Sequence, residues 1–530
     1  MRTGVAAILF TLAAVLICIE VCAGATYSFR LIHRFSDEAR SVWAAKGRQG
    51  PWPERESVER ARLLLSSDFK HQRLRLGSQK QLLVPSEGSQ TFDYGNDLSW
   101  LHYAWIDIGT PNVSFLVALD AGSDLLWVPC DCVQCAPLSS SYYTVLDRDL
   151  NEYSPARSST SKQLPCSHQL CELGPDCKSP KEHCPYMVDY LSENTSSSGF
   201  LFEDQLHLIL SGEHSHQDSA LAPIIIGCGS KQSGSYLDGA APDGVLGLGP
   251  GKISVPSLLA NSGLVPHSFS LCFDKSHSGR IFFGDQGPGN QRFTPFLPLE
   301  GNYNKYIVEV EHYCVESSCL KQSGFRAQVD SGSSFTLLPY ETYKKVVNKF
   351  DELMNATRSS IDVFHYCYKA RSEGLPNIPS MKLILSANQS FVIQNPMFPI
   401  LNYQGVKCYC LGVLPIEGIY GLIGQNFMTG YRMVFDWENL KLGWSASNCK
   451  DLDDNDKVPV TPTPGGLSAS PLPTNEQQRT PNGHAVAPAL AGRAPPRPSA
   501  ASPCTIHYQH CTLILILLML QSFVWLCCLV

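Results

Sequence analysis

Charge is scarce in this chain. Asp, Glu, Lys and Arg make up 17% of its 530 residues, and the formal net charge is −7. No basic stripe interleaved with aromatic residues runs through it, which argues against nucleic acid as a partner. The motifs of several hydrolase chemistries are missing too. There is no Gly-x-Ser-x-Gly nucleophile elbow and no His-Glu-x-x-His helix. The Gly-rich run Gly247-Leu248-Gly249-Pro250-Gly251 contains a proline and opens no helix in the sequence pattern, so it does not read as a phosphate cradle. No cofactor and no metal are expected. Between residues 95 and 450, long helical patterns are few. Residues 451–500 contain no aromatic residue at all.

What the chain does have is a 44% hydrophobic fraction, enough for sizeable cores, and a length for which two or three domains is the prior. Short apolar strands with frequent Gly and Pro turns predict a mostly β architecture. Tyr343, Val346, Val347 and Phe350 recur at helical spacing and predict a helix over 340–354. Within this background one short pattern occurs twice. Asp120-Ala121-Gly122-Ser123 follows the apolar run Phe115–Leu119, and Asp330-Ser331-Gly332-Ser333 follows Phe325, Ala327 and Val329. Each reads as a buried strand ending in a tight turn that presents a carboxylate. One such turn is commonplace; a copy in each half suggests two related lobes, each giving one Asp to a shared site.

Two carboxyls held within a few ångströms cannot both ionise, so such a pair holds one proton over a wide acidic range. One member can then accept a proton from water while the other donates to a carbonyl oxygen. That is general acid–base hydrolysis of an amide without a covalent intermediate.

The chain resembles the pepsin-type aspartic proteases, and more closely their plant secreted branch. The resemblance covers most of residues 100–450 and rests on the two Asp motifs, on Trp127-Val128-Pro129-Cys130, on Asp243 through Gly249, and on Gly424 through Phe427 and on to Gly443-Trp444. It implies a bilobal pepsin-like fold with a cysteine-rich insert in the N-terminal lobe. The lobes would be 95–275 and 276–450. Asp120 and Asp330 would be the catalytic pair, with Ser123 and Ser333 as outer braces. Tyr190 would belong to a hairpin that closes over substrate, its hydroxyl meeting the indole N–H of Trp127. Val245-Leu246-Gly247 and Leu422-Ile423-Gly424 would complete a ψ-shaped loop beneath each Asp.

Two departures from the family pattern stand out. Relatives usually carry Gly-Asp-Gly-Ser after the hairpin Tyr, where this chain has Leu191-Ser192-Glu193-Asn194. Relatives also carry Thr or Ser where this chain has Ala121, and that hydroxyl braces the opposite loop; Ser331 keeps its half. An aspartic endopeptidase acting on protein or peptide substrates is therefore expected. The alternative is a weak or inactive wall glycoprotein that binds or inhibits another protein.

The ends of the chain read as processing signals. An apolar run from Val5 to Ile19 precedes Ala23-Gly24-Ala25, the layout of a signal peptide over 1–25. At the other end, small residues at Ser499-Ala500-Ala501 precede a polar spacer and an apolar run to Val530 with no basic flank. This predicts a GPI-attachment signal over 500–530, with Ser499 as attachment site; a transmembrane helix is the other reading. The chain would then sit on the outer face of the plasma membrane as a monomer. Residues 26–90 hold 12 Lys/Arg against 7 Asp/Glu and include a helix-like run from Ser57 to Arg75. By the resemblance, 26–94 would be a propeptide whose basic side chain pairs with the catalytic carboxylates until acid weakens the contact. Pro, Ala, Thr and Gly dominate 451–499, which predicts a disordered stalk.

Of the 21 cysteines, 15 fall between Cys130 and Cys449, seven of them between Cys130 and Cys184. Without a second ligand pair at zinc spacing, disulfides are expected, and the odd count leaves one thiol over. Sequons at Asn112, Asn194, Asn355 and Asn388 agree with secretion.

Overall fold

Short runs of alternating or continuous apolar residues, cut by Gly and Pro, make strands the dominant element of the chain. The computed structural model describes residues 26–47, 52–72, 98, 100–171, 177–190, 195–209, 219–274, 279–299, 302–369, 378–402 and 404–449. All lie in one unit, Gly24–Asp453. The expected signal peptide, stalk, Ser499 and terminal apolar run lie outside the described residues, as do the hairpin tip 191–194 with Asn194 and nearly all of 73–97. Among the described residues, no helix is long and apolar enough to cross a membrane.

Two halves repeat one arrangement. In the first, the strand Val113–Asp120 lies parallel to Val245–Gly247, with Asp120 opposite Gly247, and Leu126–Gln134 crosses beside them with Trp127 opposite Val245. In the second, Phe325–Val329 lies parallel to Tyr420–Ile423, with Val329 opposite Ile423, and Thr336–Pro339 crosses with Leu337 opposite Leu422. Parallel strands covered on both faces are expected to be continuously apolar, and Phe115 through Asp120 are buried without interruption.

A shared antiparallel ladder joins the halves. It runs from Lys441–Ala446 through Tyr431–Asp436, Ser268–Phe273 and Gly279–Phe283 to Tyr27–His33 and His102–Ile108. Phe269 and Phe435 stack face to face across it at 4.7 Å. The expected lobe boundary at 275–276 falls within 275–278, outside the described residues.

The helix predicted over 340–354 is Tyr340–Leu353, and Tyr343, Val346, Val347 and Phe350 form its buried stripe. Another short helix, Val255–Asn261, begins just beyond the Gly-rich run, where the sequence pattern predicted none. Its apolar residues pack inward, and its Ser254 N-cap makes no side-chain cap bond.

The cysteines staple rather than ligate. Cys130–Cys228, Cys132–Cys135, Cys166–Cys177 and Cys171–Cys184 secure the insert, and Cys272–Cys449, Cys314–Cys319 and Cys367–Cys410 secure the rest. Cys408, buried, is the free thiol among the described residues. The expected odd cysteine is thus buried inside the second half.

Gly244 sits where the returning chain passes beneath the first Asp. Its φ of +102° and the 1.9 Å that would separate an added Cβ from the Trp127 carbonyl oxygen leave no room for a side chain. Gly244→Ala is expected to destabilise the protein by at least about 3 kcal/mol. Chemical denaturation of the purified protein, or loss of its expression in folded form, checks this.

Candidate active site

Each half delivers its Asp by the same local device. The strand ends, the chain turns, and the N–H of the Gly two residues on donates to the carboxylate. Gly122 N donates to Asp120 Oδ1 at 2.9 Å, and Gly332 N donates to Asp330 Oδ1 at 3.0 Å. The returning strand holds each turn from beneath. Leu248 N donates to the Asp120 carbonyl at 2.8 Å, and Asp330 N donates to the Ile423 carbonyl at 3.0 Å. Both acids are buried, at 2% and 0% exposure. An unpaired ionised carboxylate would not be tolerated there, so these donors are what keeps an acid at each position.

The outer braces differ between the halves. Ser333 Oγ donates to Asp330 Oδ2 at 2.7 Å. Ser123 was expected to do the same for Asp120, but its Oγ is buried with no hydrogen-bond partner among the described residues. The Ser123 main chain is used instead: its carbonyl accepts Gly249 N at 2.8 Å, which fixes the residue without engaging its hydroxyl. Ser331 is buried. Its expected counterpart is Ala121, an apolar residue packed in the core at 3% exposure, which offers it nothing to bond.

Asp124, next in the first motif, takes part as well. Its Oδ1 accepts Gly251 N at 2.8 Å, and burial pushes its carboxyl above the usual range, with Asp120 adding to the effect. The sequence pattern did not single it out, although it is adjacent to the motif.

The hairpin expected over the site is present as Pro185–Tyr190 paired with the start of Thr195–Ile209, with Tyr190 opposite Thr195. The Tyr190 side chain and the tip lie outside the described residues. The Tyr190 hydroxyl expected to meet the Trp127 indole N–H therefore lies outside the described residues too. The Trp127 indole is fully buried and packs edge-on against Tyr236 at 4.8 Å, and its Nε1 makes no hydrogen bond among the described residues. Its contribution here is packing, because the ring is enclosed by apolar neighbours. Asn112, Asn355 and Asn388 are exposed and open to modification.

Sequence reasoning missed a residue from far upstream. The helix Val58–Gln72 buries Val58, Ala61 and Leu65 against Phe335, Leu337, Phe364 and Leu414. It thereby places Asp68, fully buried, on the loop that follows Asp330. Asp68 Oδ1 accepts Ser334 N at 2.7 Å and Oδ2 accepts Phe335 N at 2.9 Å. Burial pushes the Asp68 carboxyl up to about 7; the two N–H bonds oppose this, and the charge of Asp330 adds to it. The resemblance implied a basic side chain facing the catalytic acids. The contact shown by the described residues is made by an acid, on backbone donors. No local signal marks Asp68, which sits in a helix otherwise rich in Arg and Leu.

Other proteins share this architecture. The family described as "Xylanase inhibitor N-terminal" matches residues 102–285, and "Xylanase inhibitor C-terminal" matches 309–446. Aspartic proteinase-like protein 1 of Arabidopsis thaliana is 54% identical, covering 91% of this chain and 92% of that protein. Aspartyl protease family protein 1 of the same plant is 38% identical, covering 88% and 91%. Among solved structures, basic 7S globulin from soybean has a TM-score of 0.51 at 21% identity, covering 67% of this chain and 94% of its own. Conglutin gamma from lupine seeds has the same TM-score and identity, covering 68% and 95%.

Ala121→Thr tests whether the missing hydroxyl matters to the site. Restoring it gives Ser331 a partner and is expected to add roughly 0.5–1.5 kcal/mol per hydrogen bond regained. The unfolding midpoint and the turnover of the purified protein should both rise; no change in either would show that the brace is dispensable. Two Asp turns, each held by its Gly N–H and its own returning strand, together with the 54% and 38% identical relatives, place this chain in the pepsin-like aspartic protease family, with domains of the xylanase-inhibitor type.

Proposed function

We propose that the protein is an aspartic endopeptidase. The supporting observation is that Asp120 and Asp330 arrive buried, on equivalent turns, each carboxylate holding a Gly N–H. In this reading the two acids share one proton across the cleft between the halves. The ionised member takes a proton from a water, the water oxygen attacks the scissile carbonyl carbon, and the protonated member donates to the carbonyl oxygen. The resulting diol collapses as the amide nitrogen is protonated and the C–N bond breaks. The hairpin bearing Tyr190 would cover the substrate. Secretion, modification at the sequons and GPI attachment at Ser499 would place the enzyme on the outer face of the plasma membrane, with protein or peptide as its partner.

A second reading is a pepsin-fold protein that binds rather than cleaves. It is favoured by Ala121, by the idle Ser123 hydroxyl, and by family descriptions that name xylanase inhibition. The two readings separate in one assay. The acid-treated protein should cleave a denatured protein at about pH 4–5, pepstatin should block the cleavage, and Asp120→Asn should abolish it. Absence of pepstatin-sensitive cleavage in the unmutated protein would remove the proteolytic reading and leave the binding one.

We further propose that residues 26–72 belong to an inhibitory propeptide. Asp68 clasps the loop next to Asp330, and Glu56 supports the same docking through Lys407 at 2.8 Å. The acid response of Asp68 follows from its shift. Its docked value of about 7 exceeds its ordinary 3.8, so the docked state binds more protons between those values. The contribution of Asp68 to docking therefore strengthens as pH falls through 7 and weakens as pH rises through it. This is opposite in sign to a basic group pairing with the catalytic acids. Asp68→Ala should process faster than the unmutated protein, and the ratio of their rates should widen as pH is lowered from about 7.5 to about 5. A ratio that narrows in acid, followed by gel analysis of the cleaved segment, would contradict the assignment.

A further inference from the structure

We infer that Tyr306 is a positioning residue for Asp120, acting across the two halves of the molecule; this rests on the proteolytic reading above. Tyr306 lies in the strand Asn302–Val315, which belongs to the sheet of the second half, where it pairs with Phe325–Val329. Its ring is 2% exposed and enclosed by aromatic residues: Phe435 at 4.8 Å, Phe296 at 5.3 Å, Trp437 at 5.6 Å and Phe269 at 6.1 Å. From this box its hydroxyl donates to the Leu248 carbonyl at 2.7 Å, in the first half. Burial raises the phenol well above its ordinary range, so it is a neutral donor at any pH at which the protein works.

Leu248 is the residue to which the Asp120 turn is tied. Its N–H donates to the Asp120 carbonyl at 2.8 Å, and the next N–H, that of Gly249, donates to the Ser123 carbonyl at 2.8 Å. The peptide group between Leu248 and Gly249 thus receives a hydrogen bond from Tyr306 at its oxygen and passes one to the Asp turn from its nitrogen. Such in-line peptide hydrogen bonds polarise one another, so the phenol bond tightens the one to Ser123.

The second half needs no such strut. There Thr336 Oγ1 accepts Gly424 N at 3.1 Å, Gln425 N donates to the Ser333 carbonyl at 2.7 Å, and Ser333 Oγ bonds the carboxylate itself. In the first half Ala121 has no hydroxyl and the Ser123 hydroxyl is idle. Tyr306 adds from the opposite half a hydrogen bond to the peptide group that holds the Asp120 turn.

Tyr306→Phe in the full-length chain removes only the hydroxyl and leaves the aromatic box filled. A loosened Asp120 couples less tightly to Asp330, so the two apparent pKa values of the pair move together and the bell-shaped pH profile of kcat/KM narrows on both sides. The expected kcat loss is roughly tenfold, with KM changed by less than about twofold. Hydrogen exchange at the Leu248 and Gly249 amides should accelerate, while the Phe269–Phe435 ladder keeps its protection. A variant that loses thermal stability but keeps the width of the bell and the exchange rates would reduce Tyr306 to packing and overturn the inference. Should the variant not be secreted, exchange in the unmutated protein decides. Leu248 and Gly249 must exchange as slowly as the ladder, and loop-like rates there would overturn the inference. An unmutated protein without pepstatin-sensitive activity would remove the proteolytic reading, and the exchange measurements would still decide whether Tyr306 holds the turn.

Discussion

Two acids are kept where water scarcely reaches them, and the fold around residues 120 and 330 follows from the donors this requires. A buried carboxyl without hydrogen-bond donors is costly, and side-chain donors of opposite charge would quench its chemistry. Backbone N–H groups stabilise the charge without supplying a counter-charge of their own. To aim them, the chain must stop its strand at the acid, turn within two residues, and bring a second strand parallel beneath the turn. Val245–Gly247 and Tyr420–Ile423 are those second strands, and the parallel pairing forces their long crossover connections. Even Gly244, far from any reaction, is constrained by it, since the chain passes so near the Trp127 carbonyl that no side chain fits.

The halves share this device but not its reinforcement. Around Asp330 the brace on the carboxylate itself is local, Ser333 Oγ, with Thr336 accepting Gly424 N–H in the strand below and Asp68 holding the following loop from far upstream. Around Asp120 it is long-range, relayed through Leu248 and Asp124 to groups far away in sequence. Trp100 adds to it, its Nε1 donating to the Leu119 carbonyl at 2.8 Å, immediately before the acid. A local brace tolerates changes elsewhere in the molecule. A relayed brace makes the first acid sensitive to how the halves pack, because one of its donors, Tyr306, comes from another sheet. On the proteolytic reading such sensitivity would bear directly on chemistry, since the sharing of one proton depends steeply on separation.

Legibility of the sequence followed the range of the interactions. The Asp turns, the buried strands before them and the helix Tyr340–Leu353 are written in neighbouring residues, and the periodicity was enough to locate them. The odd thiol followed from counting, although which cysteine it was did not. Ser123 was misread because it stands three residues after its Asp, as Ser333 does, and only the three-dimensional neighbours distinguish an engaged hydroxyl from an idle one. Asp68 and Tyr306 were invisible for a related reason. Each meets its partner across a separation that no spacing rule spans, and each sits in a segment whose local pattern is ordinary.

The N-terminal segment illustrates how a contact distant in sequence shapes the whole. Tyr27–His33 is not draped over the body but is an interior strand, paired on one side from Tyr27 opposite Phe283 to Leu31 opposite Gly279, and on the other with Ile32 opposite Tyr103. His33 and His102 meet there, ring to ring at 4.9 Å, and Gln425 approaches His102 from the second half at 3.3 Å. Separating residues 26–72 from the body therefore does more than uncover the loop beside Asp330. It also strips ladder bonds from Gly279–Phe283, leaves Phe283 without the Phe29 ring that meets it edge-on at 6.0 Å, and opens the seam at His102. Backbone donors exposed in this way must be met by water or by another strand, and water pairs them without the apolar cover that Leu31 and Ile32 supply. The segment whose Asp68 holds the loop after Asp330 thus also completes the sheet joining the halves, so that loop and the cohesion of the molecule are coupled through one strand and one helix.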